Sequence, residues 1–242
     1  MKRLSGFKTA LKNMSRIVGK KILKILIVLF VLFGCVSTLQ VVLVRYINPP
    51  VTFPMVWEWV IKKSTGRPYT PFIYEWRDFD QISSHLKKAV MAAEDQRFLS
   101  HNGFDFIELR RIFDEFIKEG RIRGGSTITM QAARSIYLIP CRNIVRKAFE
   151  AWYTILMEFF WDKKRIFELY LNCVDWGDAV IGAEAASQRY YGVSSGKLNP
   201  SQAAMMAGIL PAPHRLSPKK PDSYLLSRQK RILKDMKLMP EY

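Results

Sequence analysis

Several things this sequence lacks narrow its reading. No aspartate or glutamate precedes Glu58. Three cysteines (Cys35, Cys141 and Cys173) are too few for a disulfide-stapled scaffold, and leave Cys141 and Cys173 as either a pair or two free thiols. The three histidines (His85, His101 and His214) lie far apart, with no His-x-x-x-His arrangement and no zinc-type cysteine spacing. There is no internal repeat, no low-complexity segment and no convincing alternating strand of any length. Only Pro68 to Tyr74 could form a short strand.

Against the missing acids stands an uncharged run from Ile25 to Val44. A bilayer core about 30 Å thick needs roughly 20 apolar residues in a helix, and this run supplies them. Lys2, Arg3, Lys8, Lys12, Arg16, Lys20, Lys21 and Lys24 precede it. Positive charge stays on the cytoplasmic side, so the expectation is a single-pass membrane protein with a cytoplasmic basic tail (1–24), a span (25–44) and an exported remainder. A soluble core helix would show a polar face, and a cleavable signal would be shorter and end in small residues. Leu32-Phe33-Gly34-Cys35 loosely resembles a lipoprotein processing site, but Phe33 fits poorly and the run continues past Cys35.

The net charge of +17 is only partly the tail. A basic exported surface suits anionic lipid heads or phosphorylated substrates, and export disfavours nucleic acid. A membrane-proximal segment (45–80) follows, broken by Asn48-Pro49-Pro50 and Pro54. Within it Val56 to Lys62, with Trp57 and Trp59, reads either as an interfacial piece or as a short core helix. Helical spacing then predicts helices from Ser83 or Ser84 to Phe98, and over 104–119, 130–138, 144–161, 163–172, 179–191 and 200–210. The stripe Ile144, Ala148, Ala151, Ile155 and Phe159 marks one of them. About 200 residues beyond the span suffice for one domain with a sizeable core.

Two carboxylates stand out. Glu94 lies four residues after Val90 and eight after Leu86, so it shares their apolar stripe. It is either a helix-end acid in water or a carboxylate aimed at a cleft, where desolvation would make it a better base. Glu150 shares a face with Arg146 and Lys147; such a set is commonly a solvated salt-bridge stripe worth about 0.3–0.5 kcal/mol per pair. Here Arg134 and Arg142 add to the basic neighbourhood. A loop, Arg123-Gly124-Gly125-Ser126-Thr127-Ile128-Thr129, could let backbone and hydroxyls approach an anion. It lacks the Gly-Lys-Ser/Thr ending of a P-loop.

Taken together these segments resemble the peptidoglycan glycosyltransferase family. Glu94-Asp95-Gln96-Arg97-Phe98 with His101 and Gly103 matches its Glu-Asp-x-x-Phe-x-x-His-x-Gly. Gly124 to Gln131 is similar to Gly-Gly-Ser-Thr-x-Thr-Gln-Gln, and Arg146-Lys147-Ala148-Phe149-Glu150 to Arg-Lys-x-x-Glu. Lys163 to Asn172, including Glu168, matches Lys-x-x-Ile-Leu-Glu-x-Tyr-Leu-Asn, and Ala203 to Pro218 the last block. The order and spacing fit over about residues 50–220. Met130, Ala132, Arg134 and Ser135 depart from the family's usual Gln, Leu, Lys and Asn, which touches the detail of phosphate binding at Arg134.

The resemblance implies an all-α, lysozyme-like, two-lobed catalytic domain (81–242) after one transmembrane helix. With no room for a transpeptidase domain before Tyr242, the monofunctional class is expected. The implied substrates are lipid II and the nascent glycan strand. Glu94 would be the general base, with Glu150 assisting. Ser126, Thr127, Gln131, Arg134, Arg146 and Lys147 would bind donor and pyrophosphate. Asp95, Phe98, His101, Gly103, Gly124, Gly125, Glu168 and Asn172 are expected to be structural. No cofactor is expected to be obligatory, although Glu150 could support a divalent cation; no dedicated metal site is expected. Penicillin-binding and division proteins are the implied partners, besides membrane lipid. The rival readings are a lysozyme-like wall-cleaving enzyme and an inactive scaffold.

Overall fold

The computed structural model describes residues 2–120, 124–141 and 143–242, with side chains from residue 19 onward. Arg123 and Arg142, which the sequence groups with the glycine loop and the basic cluster, lie outside the described residues. The chain divides into two units, 1–44 and 45–242.

The first unit is the body of helix α1 (Lys2–Tyr46), which runs unbroken through the basic tail and the apolar run. Its stretch Gly19–Tyr46 is long and apolar enough to cross a membrane.

In the second unit, α2 (Phe53–Ser64) begins where the sequence suggests only a break. Pro54 sits in its first turn, where a missing N–H costs nothing, so this proline starts a helix. Then come α3 (Ser84–Glu94), α4 (Phe106–Glu119), α5 (Ile128–Tyr137), α6 (Ile144–Phe160), α7 (Lys163–Cys173), α8 (Ala183–Tyr191), α9 (Pro200–Ile209) and α10 (Ser223–Asp235). Side-chain caps begin most of them: Ser83, Asp105, Thr127, Asn143, Asp162, Asn199 and Asp222 each accept a backbone N–H of the first turn. Helix α9 is buried from Ala203 to Ile209 and forms the centre, packed by α3 and α10. Helix α5 packs against α6 and α7.

One expectation is corrected, and two further features were not foreseen. The helix read from Ala179 begins only at Ala183. Residues 175–181 instead form a hairpin of β2 (Asp175–Gly177) and β3 (Val180–Ile181), completed by β1 (Ile73–Tyr74) parallel to β3, in the order β1-β3-β2. Gly177 (φ 145°), Ala179 (φ 57°) and Gly182 (φ 87°) hold conformations that no right-handed helix tolerates. Helix α10 has no counterpart in the sequence reading. In α6 the apolar stripe does form a helix but does not face the core: Ile144, Ile155 and Phe159 are 82%, 56% and 79% exposed. The buried face is Glu150, Tyr153, Thr154 and Met157. Helix α4 likewise buries nothing, leaving Phe106, Ile107, Phe113 and Ile117 exposed.

Candidate active site

The stripe Leu86, Ala89 and Val90 is fully buried and carries Glu94, the last residue of α3, inward. The Glu94 side chain retains 10% of its exposure. Two donors hold it: Gln131 Nε2 at 3.0 Å from Oε2, and Arg228 Nη2 at 3.0 Å from Oε1. Tyr170 donates to Gln131 Oε1 at 3.3 Å, which orients the amide toward the carboxylate. Burial pushes the Glu94 carboxyl up; the Gln131 hydrogen bond and the charges of Arg228 and Arg134 pull the other way without cancelling it.

Arg228 is the residue sequence reasoning missed. It reaches in from α10, also donating to the carbonyls of Ala93 (3.3 Å) and Gly208 (3.2 Å), and is 12% exposed. The one available signal was the spacing of Leu225 and Ile232, which with Arg228 between them describes a helix face.

The glycine loop packs close to α4: a Cβ on Gly125 would stand 2.8 Å from Ile112 Cδ1. Ser126 Oγ accepts from Lys147 Nζ at 2.8 Å, and Lys147 also pairs with Glu150 at 2.9 Å. Glu150, 2% exposed, is ion-paired with Arg146 as well. So the set is not a fully solvated stripe: Glu150 is buried and Arg146 nearly so, and the half-exposed Lys147 ties them to the loop. Burial lowers the Lys147 pKa, and Arg134 and Arg146 add to that. Arg134, exposed in the last turn of α5, therefore acts electrostatically on both Glu94 and Lys147. Arg146 and Lys147 on Glu150, with Arg134 acting on Lys147, leave an excess of positive charge suited to an anion.

Thr127 is committed internally: its hydroxyl donates to the Gly103 carbonyl (2.6 Å) and accepts from Met130 N (3.3 Å). Asp95 binds His101 Nε2 (3.0 Å) and the Ile128 N–H (3.0 Å), joining the end of α3 to the start of α5. Phe98 is core. Gly103 has φ 83°, and a Cβ there would meet Thr154 Cγ2 at 2.6 Å. Glu158 takes Thr129 Oγ1 (2.5 Å) and Lys163 Nζ (2.8 Å), a second brace that the sequence did not single out.

Glu168 and Asn172 belong to a separate network. Glu168 accepts from Phe79 N (2.8 Å) and Arg165 Nη1 (2.7 Å), and Asn172 pairs with the backbone of Arg77. The cysteines are free; Cys173 is buried and its thiol is pushed up to about 12 by burial.

Among the described residues, Asp95, His101 and Asp105 are the group that could gather around a metal ion. Their carboxylates are already taken, since Asp105 caps α4 and pairs with Arg97 at 3.1 Å. Glu150 belongs to no such group. Both its oxygens are ion-paired with cations, a poor setting for a divalent ion, which prefers several oxygen ligands.

A buried carboxylate with raised proton affinity, on a largely helical scaffold and near a cationic cluster, is an arrangement suited to proton transfer beside an anion. Residues 67–237 match the family model described as Transglycosylase. Proteins named "Biosynthetic peptidoglycan transglycosylase" are similar over most of their length. That of Caulobacter vibrioides is 42% identical over 219 residues, covering 90% of this chain and 93% of the relative. That of Bacteroides thetaiotaomicron is 42% identical over 223 residues, covering 92% and 90%. That of Shewanella oneidensis is 42% identical over 207 residues, covering 85% and 87%. The chain belongs to the transglycosylase family, with its lysozyme-like helical fold, and is a peptidoglycan glycosyltransferase.

Proposed function

We propose that this enzyme polymerises lipid II into β-1,4-linked glycan strands, with Glu94 as the general base and undecaprenyl pyrophosphate as the leaving group. The observation that carries the reading is the desolvated Glu94 carboxylate, fixed by Gln131 and Arg228. A sugar hydroxyl is a weak nucleophile near neutral pH. Glu94 removes the proton of the acceptor GlcNAc 4-hydroxyl as its oxygen attacks C1 of the MurNAc that ends the growing strand. The C1–O bond to the pyrophosphate breaks on the opposite face, so C1 inverts. The leaving oxygen keeps the electron pair as part of an anion. Arg134, Arg146 and Lys147 stabilise that charge, with Ser126 holding the donor and Gln131 fixing the base. Thr127 contributes through the loop it fixes. Glu150 orients Arg146 and Lys147, and no step is routed through a divalent ion.

In this reading α1 anchors the enzyme in the inner membrane, N-terminus in the cytoplasm and catalytic unit in the periplasm. The test is polymerisation of labelled lipid II in detergent by the full-length protein. Glu94→Gln should lose about 10²–10⁴ of the rate while keeping its circular dichroism spectrum. Retained activity in that variant sinks the base assignment, and cleavage of preformed wall without polymerisation sinks the synthetic reading.

A further inference from the structure

We propose that the pocket formed by Arg45, Tyr46, Trp161, Lys164 and Arg165 binds the phosphodiester head group of an anionic glycerophospholipid. The pocket has a volume of about 220 Å³. That is about seven waters' worth of space, enough for a phosphate and a small ester group but not for a disaccharide. It lies outside the Glu94 and Glu150 clusters and shares no residue with them. The proposal rests on the reading of α1 as a membrane anchor, not on the catalytic assignment.

Location is the first argument. Arg45 and Tyr46 are the last residues of the stretch able to cross a membrane, and both line the pocket. Whichever face the chain emerges on, these residues end the apolar segment, where lipid phosphates lie. Trp161 and Tyr46 supply the amphipathic rings that favour this depth.

Charge is the second. Arg45, Lys164 and Arg165 line the pocket together with two carboxylates, Asp162 and Glu168. Both acids are committed: Asp162 accepts from Arg165 N at 2.7 Å, and Glu168 from Phe79 N and Arg165. Arg165 is fixed by Glu168, Asn48 (2.8 Å) and the face of Trp76, so it forms a rigid wall. Arg45 donates through Nη1 to the Phe160 carbonyl. Lys164 holds Asp80 at 2.9 Å, but that acid is 80% exposed, and such a surface pair is readily exchanged. A monoanionic phosphodiester between Arg45 and Lys164 would offset the excess positive charge. Its acyl chains would remain in the bilayer, so binding orders only the head. A lipid confined to the same interface also has a high effective concentration, an advantage that soluble phosphate lacks.

The test is native mass spectrometry of the full-length protein released from micelles doped equally with phosphatidylglycerol and phosphatidylcholine. The wild type should retain phosphatidylglycerol selectively. Arg45→Gln and Lys164→Gln should each weaken retention roughly fivefold, the weight of one basic side chain at an anionic surface. Matching melting curves exclude misfolding. In a second measurement, brominated phosphatidylglycerol should quench more fluorescence in the wild type than in Trp161→Phe. Equal retention of the two lipids, or unchanged retention in the double variant, overturns the proposal. Displacement by soluble glycerol phosphate at equal concentration shows a free-phosphate site and overturns the lipid form. Failure of the protein to float with vesicles overturns the anchor reading, and the proposal with it.

Discussion

Removing Arg228 should damage the enzyme in a way that depends on pH. The guanidinium and the Glu94 carboxylate are 12% and 10% exposed and 3.0 Å apart, so Arg228→Gln strands a desolvated carboxylate. Breaking a buried pair costs about 3–5 kcal/mol, and the residual exposure points to the lower end. For a domain of this size, about 3 kcal/mol corresponds to a melting point lower by roughly 6–12 °C. The sign of the pH effect follows from burial. Glu94 already lies above its ordinary value, and Arg228 is one of the groups holding it down. Without Arg228 it rises further, and the folded state binds a proton that the unfolded chain releases. The stability deficit should therefore be larger at pH 8 than at pH 5, where protonation relieves the stranded charge. The acid limb of kcat/KM for polymerisation should move to higher pH, with rate recovered on raising the pH. Arg228→Lys should fall between. A deficit independent of pH, with an acid limb that does not move, would refute the electrostatic coupling.

Gly103→Ala should cost about 2 kcal/mol, because it combines a left-handed backbone with a 2.6 Å approach to Thr154; a melting point within 1 °C of the wild type would argue against it. Lys147→Met removes the link between Ser126 and Glu150 from a half-exposed position. It should raise KM for the donor about tenfold, the weight of a charged hydrogen bond, and leave the acid limb where it is; movement of that limb would mean Lys147 acts through Glu94. Glu184 is fully buried. Burial raises its pKa, but hydrogen bonds from Ser195 and Gln188 and the charge of Arg77 outweigh that and hold it at about 2. Its contribution of about 3 kcal/mol is present above the unfolded value near 4.5 and lost as pH falls toward 2, so Glu184→Gln should flatten acid unfolding over that window in a denaturant titration.

How far the site could be read from sequence depended on how local its contacts are. Glu94 was legible because Leu86 and Val90 precede it at helical spacing and the helix is real. Its partner Arg228 is 134 residues away, on a helix with only Leu225 and Ile232 buried. That pattern is too sparse to separate from a basic, solvated tail. The 175–181 hairpin escaped notice for a different reason. Strands of two and three residues are too short to alternate, and the turn at Ala179 places a positive φ on a residue whose preference is helical. Glu150 was ambiguous because spacing names residues that share a face without saying which face is inside. Arg146, Lys147 and Glu150 have the spacing of a surface stripe, yet the packing of α6 against α5 turns Arg146 and Glu150 inward and leaves Lys147 half-exposed.

The same inversion bears on where the enzyme works. A soluble helix buries its apolar face and wets its charged one. Helix α6 does the reverse, exposing Ile144, Ile155 and Phe159 while burying Glu150, and α4 exposes Phe106, Ile107, Phe113 and Ile117. In water such surfaces lose the hydrophobic stabilisation that burial supplies, about 25 cal/mol per Å². In lipid they lose nothing, and a charged residue is best turned inward. That cost would be relieved if these faces, like the α1 anchor proposed above, met a membrane surface. Under the function proposed above, the cluster of Arg146, Lys147 and Glu150 would face a pyrophosphate whose lipid tail occupies the same medium as the exposed faces of α4 and α6.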